Sequence, residues 1–256
     1  MRGRYLLKKD ELDFRDKLYR PKIKDPSALP EKVDLRSQLS PIVDQGQLGS
    51  CTANAIGSGL MEYLEKKQLR NDTKDFVSLS RLFLYYQERK LEGTIDSDSG
   101  AQLRDGMKVV HKLGVCPEVD DPYNISRFTE APSKKAEKDA PEHRISEYHR
   151  VSSLHALKAS LAEGHPVVIG VIVFESFEGD DPAKNGFVPI PQNGEQQLGG
   201  HALLAAGYDD TLEHEGNKGY LIIRNSWGDA WGDKGYCYIP YDFVALGLVT
   251  DMWKGY

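Results

Sequence analysis

The sequence predicts an α+β protein whose first half is mainly helical and whose second half is mainly β-strand. Residues 51–67 repeat apolar side chains at the spacing of a helix, whereas Val167–Phe174 is a continuous run of the kind found in buried strands. The two patterns do not overlap along the chain, so helices and strands are expected to segregate. The apolar positions of the helix are Ala53, Ile56, Leu60 and Leu64.

Two further helices are predicted in the first half. One spans residues 80–90, with Ser80 as its N-cap, and the other spans residues 102–113 and stops at Gly114. Residues 116–150 then contain several prolines and a charged run. This stretch is either a long connection between two lobes or a surface loop within one lobe.

The second half begins with a short amphipathic helix over residues 153–163. The strand Val167–Phe174 follows it, and residues 175–199 are rich in Gly, Pro, Asn and Asp, which is typical of a long irregular loop. Three later segments are predicted to be strands because β-branched and aromatic residues dominate them. These segments are residues 202–208, 220–224 and 235–239.

Composition limits the partners of this protein. The chain has 256 residues, a formal net charge of -6 and a sequence pI near 5.7, which disfavours binding to nucleic acid or to anionic membranes. No stretch approaches the ~20 apolar residues of a membrane span. The first 20 residues lack the apolar run of a signal peptide. We therefore expect a protein that is cytoplasmic or exported without a recognisable signal peptide.

The cysteines and histidines do not suggest a structural framework or a metal site. Three cysteines are present, at positions 51, 116 and 237, and this odd, small number argues against a disulfide-rich fold. A Cys116–Cys237 pair stays open, although buried free thiols are the simpler interpretation. The histidines show no paired spacing suited to zinc, so no metal is expected.

Cys51 stands in the first turn of the predicted helix, directly after the glycine-punctuated loop 45–50. A helix N-terminus stabilises a thiolate through its dipole and its unpaired N–H groups. The loop of small residues leaves the sulfur approachable. Cys51 is therefore a candidate nucleophile, although an isolated helical cysteine is more often a buried structural residue.

His201 and Asn225 are candidates for the groups that would activate such a thiol. His201 follows two glycines at the mouth of a predicted strand, where a ligand backbone can come close. Asn225 ends the next predicted strand, and its side-chain oxygen can fix the tautomer of an imidazole. Taken singly, each residue is as well explained by a structural histidine and a turn asparagine.

Together, these residues and their neighbours resemble the papain-like cysteine peptidases. The matching segments read Gln-Gly-Gln-Leu-Gly-Ser-Cys at 45–51, Gly-His-Ala at 200–202 and Asn-Ser-Trp-Gly at 225–228, with Trp-Gly at 231–232. The resemblance extends over about residues 29–241. It implies a two-lobe fold, with a helical left lobe, an antiparallel β-barrel-like right lobe and the active-site cleft between them.

The resemblance implies a role for each matching residue. Cys51 is the nucleophile, His201 its base and Asn225 the residue that orients the base, whereas Gln45 donates its side-chain amide to the oxyanion. Trp227 would also shield the His201–Asn225 hydrogen bond from water. The implied substrate-binding positions are Gly49, Ser50, Gly100, Gly200 and Trp227.

The resemblance also implies a domain organisation. A peptidase domain is expected over residues 29–256, with a mainly helical lobe over about 29–140 and a mainly β lobe over about 141–250. Residues 1–28 form an N-terminal extension and a candidate short pro-segment that lies over the cleft. A surface-bound extension without an inhibitory role is the alternative.

Two positions depart from the pattern of the family. Leu48 stands where the family signature has a cysteine, so the disulfide that this cysteine makes in secreted members is absent. Thr52 stands where an aromatic residue usually follows the nucleophile, so packing beneath the site is expected to differ. These differences suggest a minimal, bacterial-type branch.

The implied reaction is peptide-bond hydrolysis through a thiolate–imidazolium pair and an acyl-enzyme intermediate. We expect an endopeptidase that acts on peptide or protein substrates, needs no cofactor and has no nucleic-acid or membrane partner. A monomer is favoured, with the oligomeric state left open. The alternatives are an aminopeptidase or transpeptidase that uses the same pair, and a catalytically silent papain-like binding module.

Overall fold

The chain folds into a helical part followed by one antiparallel sheet, as the sequence predicts. The computed structural model describes residues 5–69 and 77–256, so residues 1–4 of the predicted N-terminal extension lie outside the described residues. The helices are α1 (three consecutive stretches, Cys51–Ala53, Asn54–Met61 and Glu62–Leu69), α2 (Arg81–Glu92), α3 (Leu103–Lys112), α4 (Lys134–Asp139), α5 (Leu154–Ala162), α6 (Asp180–Asn185) and α7 (Asp242–Ala245). The strands are β1 (Lys32–Asp34), β2 (Tyr148–Arg150), β3 (Val167–Phe174), β4 (Gln197–His214), β5 (Asn217–Arg224), β6 (Tyr236–Pro240) and β7 (Val249–Gly255).

Helix α1 begins at Cys51, as predicted, but its middle stretch is a π-helix rather than an α-helix. The hydroxyl group of Ser58 donates to the carbonyl oxygen of Asn54 over 2.7 Å. Ser58 lies between two glycines, Gly57 and Gly59, which have no side chains to resist a wider turn. Residues 51–64 of this helix are buried, so α1 is the central element of the helical part.

The predicted N-cap of α2 is present, and α5 has a serine N-cap as well. Ser80 accepts a hydrogen bond from the Phe83 amide over 3.0 Å, and its hydroxyl group donates to the Asp121 carbonyl over 2.6 Å. Ser153 accepts from the Ala156 amide in the same way. These caps fix the helix starts that the sequence predicted.

Residues 116–150, for which two interpretations were open, form a surface excursion of the helical part before entering β2. The amide of Val115 donates to His143 over 3.1 Å, and the amide of Ile145 donates to Val110 over 3.3 Å. These hydrogen bonds join the end of the segment to α3 and to the residues that follow it. The segment also contains the short helix α4.

The sheet contains seven antiparallel strands in the order β2-β7-β3-β4-β5-β6, with β1 added at β4. Strand β4 is its centre, because it pairs with β3, β5 and β1. Helix α1 packs against this strand. A Cβ atom on Gly59 would lie 3.2 Å from the Leu204 side chain, so the glycine allows the helix to approach β4 closely.

Several elements differ from the sequence-based prediction. The irregular loop predicted over residues 175–199 contains α6, and β4 begins before its end, at Gln197. Strands β1, β2 and β7 were not predicted. Within the described residues, no helix has both the length and the apolar composition that crossing a bilayer requires.

Replacement of Ser80 by alanine removes the cap of α2 and its hydrogen bond to Asp121. Loss of an N-cap destabilises proteins by about 0.5–2 kcal/mol, and we expect a decrease near the upper end of that range. Urea unfolding measures it. Ser152→Ala, an exposed serine next to the cap of α5, is the matched control and should leave the midpoint unchanged. Equal stability of both variants would contradict the prediction.

Candidate active site

The candidate nucleophile, Cys51, lies at the first residue of α1 and is completely buried. Its thiol is within hydrogen-bonding reach of the backbone amide of Ala202 in β4. His201 precedes Ala202 in the same strand. The packing of α1 on β4 therefore brings the sulfur from the helical part to the strand that carries the candidate base.

His201 is oriented by Asn225, as the resemblance implies. The Nε2 atom of His201 lies 2.9 Å from the Oδ1 atom of Asn225, which also accepts from the Ser226 amide over 2.8 Å. An amide oxygen only accepts, so Nε2 carries the proton and Nδ1 is left free to take one. Nδ1 is buried and has no hydrogen-bond partner. This is the tautomer that a general base requires.

An aromatic cluster covers the His201–Asn225 hydrogen bond. The ring of Trp227 stacks on His201, with 5.0 Å between the centroids and 23° between the planes. Phe177 and Trp231 pack on Trp227 at 5.7 and 4.8 Å. The position of Trp227 fits the expected shielding role, whereas Phe177 could not be identified from the sequence because it lies in the segment read as a loop.

Hydrogen bonds at both ends of the Gln45 side-chain amide fix its orientation. Its Oε1 atom accepts from the Ser226 hydroxyl group over 2.6 Å, and its Nε2 atom donates to the Leu48 carbonyl over 3.0 Å. An amide carries two N–H groups, so one donor is left for a developing oxyanion. Ser226 was not singled out in the sequence, although it directly follows Asn225.

Gly49, Gly100 and Gly200 lie where a chain segment approaches closely. A Cβ atom on Gly100 would lie 1.9 Å from the carbonyl oxygen of Leu6, and one on Gly200 would lie 2.6 Å from that of Leu7. Side chains at these positions would push the segment away. Gly100 and Gly200 therefore permit backbone-to-backbone contact, whereas Gly49 makes room for the side chains of Leu6 and Asp98.

The side chain of Ser50 makes its hydrogen bonds within the protein. Its hydroxyl group lies 2.5 Å from that of Tyr123 and 3.1 Å from the Nδ2 atom of Asn54, and the residue is completely buried. The side chain is therefore occupied within the protein rather than directed at a ligand.

The segment that occupies the cleft is residues 5–8, which we call the N-terminal strap. The Leu7 amide donates to Gly200 over 3.1 Å, the Gly200 amide donates to Tyr5 over 3.3 Å, and the Lys8 amide donates to Ala101 over 3.1 Å. The ring of Tyr5 packs edge-on against both His201 and Trp227 at 6.0 Å. The strap thus makes strand-like contacts with both sides of the cleft.

Burial of the candidate pair favours its neutral forms. Desolvation raises the pKa of the Cys51 thiol to about 12 and lowers the pKa of His201 to about 4. Both shifts disfavour the thiolate–imidazolium pair while the two side chains are buried. Removing the strap would return water to the cleft and allow the helix dipole to favour the thiolate.

The three cysteines are free and buried. Cys116 and Cys237 do not pair with each other, which resolves the alternative that the sequence left open. Among the described residues, no cluster of histidine, cysteine and carboxylate side chains is arranged to hold a metal ion.

A thiol at a helix N-terminus, next to an imidazole that an asparagine orients, on a helical part packed against an antiparallel sheet, defines a papain-like cysteine peptidase. The sequence profile of the papain family cysteine proteases matches residues 29–250, and the chain belongs to this family. It is a cysteine-type peptidase, whose substrates are peptides or proteins.

Individual relatives agree with this assignment. The chain is 39% identical over 244 residues to an uncharacterised peptidase C1-like protein of Acanthamoeba polyphaga mimivirus, covering 91% of this chain and 75% of the relative. The crystal structure of xylellain, a cysteine protease from Xylella fastidiosa, superposes with a TM-score of 0.87 at 37% identity, covering 99% of this chain and 96% of that one. Digestive procathepsin L 3 of Tenebrio molitor shares the fold, with a TM-score of 0.70 at 20% identity over 99% of this chain and 75% of that chain.

Two substitutions test how Gln45 is held. Gln45→Ala should lower kcat on a peptide substrate ~100- to 1000-fold, the loss typical of a missing oxyanion donor. Ser226→Ala should lower it ~10-fold, because the Gln45 oxygen loses its hydrogen-bond donor and the amide can rotate. Steady-state kinetics measure both.

Ser160→Ala is the matched control, since Ser160 is a buried serine of α5 whose hydroxyl group donates to the nearby His165 carbonyl, away from the candidate site. A Ser226→Ala variant with the kcat of Ser160→Ala would show that Ser226 does not orient Gln45.

Proposed function

We propose that the protein is an endopeptidase that its own N-terminal segment keeps inactive. The observation that carries the proposal is the N-terminal strap, which lies along the cleft with the Tyr5 ring against His201 and the Leu6 side chain close to Gly49, two residues before Cys51. Cys51 and His201 are almost inaccessible to solvent, at 0% and 1% exposure. A substrate cannot reach the thiol while the strap is in place.

The strap supports endopeptidase activity because it continues beyond the cleft. The chain runs on from Lys8 to further contacts outside the cleft, at Asp10 and Asp16. An exopeptidase needs a group that binds a chain terminus, whereas the described contacts of the strap with the cleft are made by backbone groups. Backbone contacts to Gly200 and Ala101 suit any extended peptide.

Contacts after the strap hold it in position. The carboxylate of Asp10 accepts from the Trp253 indole over 2.7 Å and from the Arg104 amide over 3.1 Å. Asp16 forms an ion pair with Arg104 over 2.8 Å. These partners are largely buried and come from β7 and α3, on both halves of the protein.

A third anchor lies further along the extension. The amide of Tyr19 donates to the Arg150 carbonyl over 2.8 Å, and the amide of Arg150 donates to Lys17 over 2.8 Å. The extension therefore pairs with β2 at the edge of the sheet. We infer that residues 1–28 act as a short pro-segment rather than as a surface-bound tail.

Leu7→Ala tests the inhibitory role. Leu7 is buried, at 9% exposure, and its side chain lies against Gly170 and Gly200. Loss of a buried leucine side chain destabilises packing by about 2–5 kcal/mol, and about 1.4 kcal/mol changes an equilibrium tenfold. We expect turnover of a peptide substrate by the full chain to rise at least ~10-fold.

Leu12→Ala is the matched control, because Leu12 belongs to the same extension but is 97% exposed. Its turnover should equal that of the unmodified protein. If Leu7→Ala leaves turnover at the level of Leu12→Ala, the extension is not inhibitory.

Blocked peptides test the endopeptidase assignment. A fluorogenic peptide with a blocked N-terminus should be cleaved by Leu7→Ala protein, and Cys51→Ala in the same background should abolish cleavage. An epoxide that alkylates cysteine peptidases should label Cys51 stoichiometrically. Cleavage only of peptides with free N-termini would instead identify an aminopeptidase. Labelling without cleavage of any peptide would contradict the proposed activity.

A further inference from the structure

The loop of residues 44–51, which we call the oxyanion loop, carries the candidate oxyanion donor near one end and the nucleophile at the other. Several side chains outside the matching motif segments contact this loop, among them Tyr123, Arg81 and Asn54. None of them was singled out in the sequence. Their contacts join the two ends of the loop to each other.

Tyr123 connects the two ends through a single hydroxyl group. It donates to the Gln45 carbonyl oxygen over 2.9 Å and lies 2.5 Å from the Ser50 hydroxyl group. Since the tyrosine proton goes to Gln45, the Ser50 proton goes to the tyrosine oxygen. One side chain thus fixes the distance between the residue that bears the amide donor and the residue before Cys51.

Asn54 completes this chain of hydrogen bonds. Its Nδ2 atom donates to the Ser50 carbonyl oxygen over 2.9 Å and to the Ser50 hydroxyl oxygen over 3.1 Å. The Ser50 hydroxyl group is therefore satisfied as both donor and acceptor. Asn54 belongs to α1, so the chain ties the loop to the helix that carries the nucleophile.

Arg81 holds the other two side chains in place. Its guanidinium group lies over the ring of Tyr123, 3.8 Å from the centroid, and donates to Asn54 Oδ1 over 3.1 Å. It also donates to the carbonyl oxygen of Asp44 over 3.2 Å. A planar guanidinium can make these contacts together, because its donors lie in one plane while its face rests on the ring.

We propose that Tyr123, Arg81 and Asn54 form a clamp that sets the position of Gln45 relative to Cys51. They are positioning residues, since none of them contacts the thiol or the imidazole. The proposal rests on the oxyanion role of Gln45. It is separate from the contact with Ser226, which orients the Gln45 side chain, because the clamp holds the backbone from which that side chain extends.

The position of an oxyanion donor matters more for hydrolysis than for simple attack by the thiol. Acylation creates charge on the carbonyl oxygen, and a donor stabilises that charge only at a hydrogen-bonding distance. Alkylation of the thiol by iodoacetamide creates no oxyanion. The two reactions share the thiol and the open cleft, so their ratio isolates the oxyanion site.

Tyr123→Phe is the test, made in the full chain. We expect kcat/KM for a blocked peptide to fall ~10-fold while the rate of Cys51 alkylation by iodoacetamide changes less than ~2-fold. Both rates scale with the same fraction of molecules whose strap has left the cleft, so strap occupancy cancels from their ratio. Tyr220→Phe, which loses a hydroxyl bond to His214 on β4, is the matched control and should leave the ratio unchanged.

The background of Gln45→Ala distinguishes the clamp from a general structural role. If the clamp acts through Gln45, adding Tyr123→Phe to Gln45→Ala should lower the ratio less than ~2-fold further. A full ~10-fold loss in that background would overturn the proposal, as would an unchanged ratio in Tyr123→Phe alone. A ratio unaffected by Gln45→Ala would instead refute the oxyanion role of Gln45.

Arg81→Lys provides a second variant in case Tyr123→Phe does not fold. Lysine keeps the positive charge but cannot donate to Asp44 and Asn54 from one plane. We expect the ratio to fall ~3- to 10-fold. A ratio equal to that of the unmodified protein would count against the clamp.

Discussion

The packing of α1 against β4 is the interaction on which the rest of the structure depends. Cys51 begins the helix and His201 lies in the strand, so the approach of the two elements sets how near the thiol comes to the imidazole. Gly59 and Leu204 meet at this contact, where a larger side chain would separate helix from strand. The catalytic pair is therefore a consequence of core packing between the two halves of the protein.

The same contact makes the charge state of the pair sensitive to what fills the cleft. Burial favours a neutral thiol and a neutral imidazole, whereas water and the helix dipole favour the ion pair. Under the proposed function, a segment that excludes water acts twice: it blocks substrate and disfavours the thiolate. Transfer of one proton from Cys51 to His201 conserves the proton count of the pair, so uncovering the cleft needs no net proton uptake at these two residues.

The sequence predicted the site better than it predicted the periphery of the sheet. Cys51, His201 and Asn225 each stand in a short motif together with its usual neighbouring residues, so they can be identified from the sequence alone. Strand β7 was missed because two of its buried residues are charged: Asp251 pairs with Arg150, and Lys254 rests on the rings of Tyr19 and Tyr256. Buried ion pairs and cation–π contacts erase the apolar pattern on which strand prediction depends. Arg81 and Tyr123 were missed for a related reason, since their partners in residues 44–54 lie far away in the sequence and only the folded chain brings them close.

Under the proposed function, Gly100 and Gly200 link inhibition to substrate binding. Each lacks a side chain where the strap backbone passes, and a Cβ atom at either position would collide with a strap carbonyl oxygen. A surface that accepts any main chain this closely accepts both a substrate and the strap of the same protein. Unlike a free substrate, the strap is covalently tethered, so its effective concentration at the cleft is of the order of millimolar. Weak contacts are therefore enough to keep it in place. The anchors at Asp10 and Tyr19 lie outside the cleft. Changes at these anchors can therefore alter how tightly the strap is held without altering the groups that bind substrate.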